Sequence, residues 1–236
     1  MKKILPLLTF SIAMGYLEAA VVVYLRKIYY PGGFDFPLVP MEPALALTEV
    51  FREVATIIML VWIALIAGRN TLQKFSFFIF CFGVWDIFYY VFLKIILDWP
   101  ESFLTPDILF LIPFPWVGPV LAPCLVSAIM IIFALLILYL LEKGYPVKIK
   151  NREALFLISG CLIIIFSFML DYMQHTISGN SEHGMWTMVS HESMFIELRN
   201  YVPTDYIWTL FILGQVLILI GIVVFWKRTK KYTIKL

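Results

Sequence analysis

The chain has 236 residues and is too apolar for a soluble globular protein. Hydrophobic residues make up 62% of it and charged residues 14%, with a mean hydropathy of +0.91. Soluble domains carry about 45–50% apolar and about 25% charged residues. This apolar composition makes the lipid bilayer the expected surrounding. The net charge of +2 gives no reason to expect nucleic acid as a partner.

Six apolar runs recur along the chain, each long enough to cross about 30 Å of hydrocarbon as a helix. They lie at about residues 4–26, 46–68, 75–97, 117–141, 154–174 and 206–226. The expected fold is all-α: one transmembrane domain over residues 1–236, built as a bundle of six helices. The sequence does not indicate an oligomeric state.

The first run resembles a signal peptide at its start. Lys2 and Lys3 precede an apolar stretch, and Glu18-Ala19-Ala20 offers small residues near a possible cleavage point. However, the apolar stretch resumes over residues 21–25 and is too long for a signal peptide. We therefore expect an uncleaved first helix.

Lysine and arginine are distributed unevenly between the two ends of the predicted bundle. Of the 18 such residues, thirteen fall in segments on the side of the N-terminus and three fall on the other side. Cytoplasmic loops are enriched in these residues, so we expect both termini inside. The short loops and the compact single domain favour the plasma membrane, and specifically a bacterial inner membrane.

Ionisable residues lie within the apolar runs, where a charge at the bilayer centre costs about 2.5–3.5 kcal/mol on insertion scales. Glu18, Glu53 and Asp86 come from the first three runs, and Glu49 lies nearer the surface. With a rise of about 1.5 Å per residue, the first three lie about 12–16 Å below the outer surface. Three helices therefore bring carboxylates to one level of the outer half.

Local spacing supports one inward-facing polar site. Residues three or four positions apart lie on the same side of a helix, and polar faces turn away from lipid. The residues spaced in this way are Glu49, Arg52 and Glu53 in the second run, Asp86, Tyr90 and Lys94 in the third, and Asp171 and His175 in the fifth.

The acids of this site outnumber the bases. Four acids face only Arg52 and Lys94, which leaves two negative charges unmatched in a medium where unpaired charge is costly. A divalent cation, protonation of one or two acids, or entry of water would each resolve the excess. The alternative is a structural network in which Arg52 is held between Glu49 and Glu53.

A metal site is one hypothesis for the cluster. Carboxylates with a histidine suit Zn, Mn or Fe, and the expected ligands are Glu18, Glu53, Asp86 and His175. Asp171, one turn earlier, would orient the His175 ring. His183 and His191 are expected to be solvated in a polar loop of about residues 175–205, which could cover the site. Cys81, Cys124 and Cys161 show no metal-binding or disulfide pattern.

Six of the 13 prolines fall between Pro100 and Pro123. The stretch over residues 111–119 cannot be one regular helix, because proline removes a donor and clashes one turn back. It is either a proline-rich lead-in to the fourth helix or a re-entrant segment whose carbonyls line the polar site.

Two principal function classes follow from this pattern. The first is a membrane enzyme with an outward-facing site for a lipid-like or membrane-delimited substrate. Glu18, Glu53 and Asp86 would be metal ligands or acid–base groups, and Tyr90 and Lys94 would polarise the substrate. The second is a proton- or cation-coupled transporter of small solutes. A third possibility is an accessory subunit of a membrane complex.

Overall fold

The structure is a computed structural model that describes residues 3–39, 41–112, 115–178, 201–204 and 206–231. Its described helices include six that are long and apolar enough to cross a membrane, which confirms the predicted number. The helices are α1 (Ile4–Tyr29), α2 (Pro43–Ala67), α3 (Thr71–Leu97), α4 (Leu121–Glu142), α5 (Asn151–Ser178) and α6 (Trp208–Lys231).

The ends of the helices carry recognisable local signals. Pro43 occupies the first turn of α2, where its missing N–H would be unsatisfied in any case. The Asn70 side chain accepts a hydrogen bond from the Gln73 N–H at 2.9 Å and caps α3. Asp98, in the left-handed region with φ 53°, ends α3. These signals mark where α2 and α3 begin and where α3 ends.

The proline-rich segment forms a β-hairpin that the sequence analysis did not predict. Strand β1 (Pro106–Phe110) pairs antiparallel with β2 (Trp116–Pro119), and Asp107 lies opposite Gly118. The all-α expectation is thus incomplete, and α4 begins at Leu121 rather than near 117. A two-stranded sheet leaves one edge of each strand unpaired, so prolines fit there without removing a needed donor.

Helix α3 is the centre of one part of the bundle. Helices α1, α2 and α4 all pack against α3, whereas α5 and α6 pack mainly against each other. Strand β2 rests on α5 and links the two groups. The central helix therefore carries Asp86 and Tyr90 into the space between α1, α2 and the hairpin.

Close helix contacts at glycines give a first prediction. A Cβ atom added at Gly83 of α3 would lie 2.7 Å from the backbone carbonyl oxygen of Ser127 in α4. Because a backbone atom cannot yield without moving its helix, Gly83→Ala is expected to lower the free energy of unfolding by about 1–2 kcal/mol. SDS titration of the detergent-solubilised protein measures this. Gly32→Ala is the control, since a Cβ there meets nothing within 4 Å, and equal effects of both variants would contradict the packing argument.

A buried amide in α6 gives a second prediction. Gln215 is 8% exposed, and neither polar atom of its side chain has a hydrogen-bond partner in the part of the chain that the structure describes. Replacement of Gln215 by the similarly shaped Met removes these two buried polar atoms. It should therefore raise the free energy of unfolding by about 1–2 kcal/mol. Gln73→Met is the comparison and should bring no such gain, because the side-chain carbonyl of Gln73 accepts the Arg69 N–H at 3.0 Å. A destabilised Gln215→Met protein would show that the amide has a partner.

Candidate functional site

A cavity of about 160 Å³ lies between α1, α2, α3, β1 and the loop that follows α1. We call it the polar cavity. Its wall combines aromatic and aliphatic side chains with charged groups of both signs. The charged residues that line it are Glu18, Arg26, Glu49, Arg52, Glu53, Asp86 and Asp107.

The structure brings most of the predicted site residues to this one cavity. Glu18, Glu53, Asp86 and Tyr90 all line it, each from the helix that the sequence analysis assigned. Lys94, on the same helix as Asp86, does not. The roles of these side chains remain predictions, but their common location is a structural finding.

Lys94 and His175 lie apart from the polar cavity. The Lys94 ammonium is 2.7 Å from the Asp98 carboxylate, and its side chain is 50% exposed. The His175 ring packs edge-on against the Tyr201 ring, with centroids 5.3 Å apart. The Asp98 carboxylate and two loop carbonyls draw Lys94 toward the end of α3. Neither side chain is positioned to act with the three carboxyls.

Arg52 links α1 and α2 through two acids. Its guanidinium makes two hydrogen bonds to Glu49, at 2.8 and 2.6 Å, and a third to Glu18 of α1. This corrects the alternative in which Arg52 was held between Glu49 and Glu53. Glu18 takes that second place, because the Glu53 side chain is engaged elsewhere, by the hairpin.

Glu53 is buried against the hairpin. Its carboxyl accepts the backbone N–H of Leu111 at 3.1 Å, and the residue is 7% exposed. No lysine or arginine within the described part of the chain forms an ion pair with it. Glu53 is therefore a cavity-lining acid held by a neutral donor.

Asp86 is held in a similar way from another direction. Its carboxyl accepts the Ser127 hydroxyl of α4 at 2.8 Å. Among the described residues it also has no cationic partner. The cavity thus contains two acids, on α2 and α3, whose hydrogen-bond donors carry no charge.

Arg26 and Asp107 form an ion pair that the sequence analysis missed. The guanidinium of Arg26 lies 3.1 Å from the Asp107 carboxylate, and the two side chains are 8% and 3% exposed. The Tyr90 hydroxyl donates to the other Asp107 oxygen at 3.3 Å. Burial raises the pKa of Asp107 to about 6, against the opposing effects of Arg26, the Ile108 N–H and Tyr90. In the sequence, Asp107 was marked only as a lone acid ahead of an apolar, proline-rich stretch.

Two aromatic rings enclose the same guanidinium. The Arg26 Cζ atom lies 4.1 Å from the ring centroid of Phe34 and 3.7 Å from that of Trp99. Cations are attracted to the faces of aromatic rings at such distances. Arg26 therefore ties the end of α1 to the loop after it, to the end of α3 and to the hairpin.

A metal centre finds no support in the donor arrangement. Among the described residues, no three His, Cys, Asp or Glu side chains come together so that they could hold a metal ion. The acids of the cavity turn instead to arginine, amide and hydroxyl donors. His183 and His191, and most of the loop proposed to cover the site, lie outside the described residues. The three cysteines are free thiols.

A second cavity, of about 210 Å³, lies beside Asp171. The Asp171 carboxylate accepts the Tyr201 hydroxyl at 2.5 Å, the Thr204 N–H at 3.1 Å and the Thr204 hydroxyl. Asp171 thus fastens residues 201–204 to α5 rather than orienting His175. Its hydrogen-bonding capacity is used in holding the fold together.

Comparison with known proteins adds no family to this geometry. No family model matches the chain, and neither a curated protein nor a solved structure shows significant similarity to it.

Proposed function

We propose that this protein is an integral membrane enzyme whose polar cavity acts on a lipid-like or membrane-delimited substrate. The observation that carries the proposal is Glu53, a carboxyl 7% exposed at the cavity wall, without an ion-pair partner among the described residues. A buried carboxyl of this kind must hold a proton or meet a cation. Polar groups retained at such cost within apolar helices are functional by default.

Glu53 and Asp86 are the proposed acid–base pair. Each is fixed by a neutral donor, the Leu111 N–H or the Ser127 hydroxyl, so each can gain or lose a proton without breaking an ion pair. Arg52 and Arg26 are instead committed to other carboxylates and hold the frame of the cavity. A general acid or base needs this combination of fixed position and free protonation.

Access from the lipid phase is the reason for proposing a membrane-delimited substrate. Helices α1 and α2 both line the cavity but share little direct packing with each other. The Arg52–Glu18 ion pair bridges them. Exposed apolar side chains, including Leu17 of α1 and Phe51 of α2, lie within one residue of Glu18 and Arg52. An amphiphile could pass between the two helices without leaving the bilayer.

The distribution of lysine and arginine supports an orientation for this site. With the basic segments in the cytoplasm, both termini lie inside and the polar cavity opens toward the outer face. We propose the plasma membrane, in a bacterium the inner membrane, as the location. Cysteine accessibility at the two ends of α1 tests the orientation in intact cells. The thiol of Lys3→Cys should be protected from a membrane-impermeant reagent, and the thiol of Gly32→Cys should react with it.

A proton- or cation-coupled transporter is the second candidate. The excess of acids over arginines in the cavity favours it, since coupling ions bind to such groups. The accessory-subunit alternative is less well supported, because the charged side chains line an internal cavity rather than a lipid-facing stripe. Proteoliposomes that accumulate a solute only under a proton gradient, and lose this with Glu53→Gln, would favour transport.

The enzyme proposal is tested by a change in lipid composition. Purified protein in nanodiscs is incubated with a total lipid extract, and the lipids are compared by mass spectrometry. The wild-type protein should convert at least one lipid species, and Glu53→Gln and Asp86→Asn should reduce the rate by about 10²-fold or more, as for loss of general acid–base catalysis. Glu101→Gln, an exposed acid outside the cavity, should retain the wild-type rate. An unchanged lipid profile would contradict the enzyme proposal.

A further inference from the structure

We propose that the polar cavity binds the head of an amphiphile that carries a protonated amine next to an oxygen acceptor. This inference rests on the proposed function and names its substrate class. It follows from the charges that the cavity leaves unpaired, from two buried donors without partners, and from the apolar part of the wall.

The charges of the wall select a cation. Five carboxyls and two guanidiniums line the cavity. Both guanidiniums are already engaged, Arg52 with Glu18 and Glu49 and Arg26 with Asp107. An anionic head would therefore meet no uncommitted cation among the described residues, and it would face Glu53 and Asp86. An ammonium group would instead be attracted by both acids and would reduce the energetic penalty of their burial.

Two buried donors select an oxygen acceptor beside the amine. The indole N–H of Trp85 and the Nη1 atom of Arg26 both belong to cavity-lining residues that are 7% exposed. In the described part of the chain neither atom has a hydrogen-bond partner. Buried donors are normally satisfied, and at a cavity wall a bound ligand can supply the acceptor that the chain does not. A hydroxyl, carbonyl or phosphoryl oxygen on the ligand would supply it after a small side-chain adjustment.

The rest of the wall fits an organic ammonium better than a metal ion. Tyr89 and Tyr90 add aromatic surface beside Asp86, and aromatic faces attract ammonium groups. Val22, Leu25 and Met41 contribute an apolar region suited to a hydrocarbon chain. An ammonium needs only a few acceptors and ring faces, whereas a metal ion needs converging ligands that the described residues do not provide.

Four six-carbon probes that differ only in their polar heads test the class: 2-aminohexan-1-ol, hexylamine, hexan-1-ol and hexanoate. Binding to the full chain in detergent is measured from the shift in the thermal midpoint and from native mass spectrometry. The amino alcohol should bind at least tenfold more tightly than hexanol or hexanoate. Glu53→Gln and Asp86→Asn should each weaken it at least tenfold, and the exposed-site control Glu101→Gln should not.

Trp85→Phe separates the two parts of the head. In this variant the amino alcohol should no longer bind more tightly than hexylamine. The affinity for hexylamine should stay within about twofold of the wild-type value, well under the tenfold change that 1.4 kcal/mol produces. Since this comparison is made between two ligands on one folded protein, a general loss of stability cannot imitate it.

The source of the amine is distinguished in nanodiscs. If the natural ligand is a lipid headgroup, discs of phosphatidylethanolamine should block the amino alcohol, and discs of phosphatidylglycerol should not. If it is a free amine, both discs should allow binding. If the cavity variants weaken binding of hexanoate or hexanol and not of the amines, the inference of an amine ligand is wrong. The cavity would then still be the binding site. If no probe responds to the cavity variants, the amine inference fails, and the lipid-conversion assay decides the proposed function separately.

Discussion

Replacing Arg52 with Met is expected to lower the free energy of unfolding by about 3–5 kcal/mol, the range for removing one partner of a buried charge pair. The change leaves Glu18 and Glu49 together in the cavity without a counter-charge, beside Glu53. It also removes the polar bridge between α1 and α2, which share little direct packing. SDS titration in detergent, followed by circular dichroism, measures the loss.

Two comparisons make the Arg52 prediction specific. Lys94→Met removes a pair whose side chains are 50% and 92% exposed, so it should change stability by no more than about 1 kcal/mol. Adding Glu18→Gln and Glu49→Gln to Arg52→Met removes the stranded charges and should recover most of the loss. If the triple variant is no more stable than Arg52→Met, the charge argument is wrong and the side-chain packing of Arg52 matters more.

Hydropathy made the helical part of the fold predictable. Runs of about 20 apolar residues have few alternatives in a bilayer, because every backbone group must be satisfied within its own segment. The six helices lie where those runs indicated, with their ends displaced by a few residues. Thr71, for example, starts α3 four residues earlier than expected, since Asn70 supplies a cap that hydropathy does not register.

The hairpin was not predictable in the same way. Its strands are five and four residues long, and four prolines from Pro106 to Pro119 obscure the alternation that marks a strand. Its pairing is a tertiary event, supported by the packing of β2 against α5. Consequently Asp107 was assigned no role, although it provides a buried charge of the cavity.

The composition of the candidate site was partly predictable. Burying charge in apolar helices is expensive, so Glu18, Glu53 and Asp86 could be expected to converge, and all three line one cavity. Periodicity could not tell how Lys94 would point, since a long side chain near a helix end can reach the surface. It also could not choose between Glu18 and Glu53 as the second partner of Arg52, which depends on the contact of Glu53 with Leu111.

Arg26→Met is expected to be the other strongly destabilising substitution, again by about 3–5 kcal/mol in the free energy of unfolding. It strands Asp107, whose side chain is 3% exposed, and removes a cation from between the Phe34 and Trp99 rings. Arg26→Lys should recover less than half of the loss, because an ammonium cannot both stack on two rings and present a planar fork to the carboxylate.

The double variant Arg26→Met/Asp107→Leu tests whether the ion pair is needed for stability or for ligand binding. Buried pairs replaced by apolar groups of similar size are often neutral or stabilising, and Arg26 already leaves one nitrogen without a partner. We therefore expect the double variant to lie within about 1 kcal/mol of the wild-type protein. It should nevertheless bind 2-aminohexan-1-ol more weakly, because Arg26 is one of the two proposed acceptor-binding donors. A double variant as unstable as Arg26→Met would show that the pair holds the hairpin on the bundle.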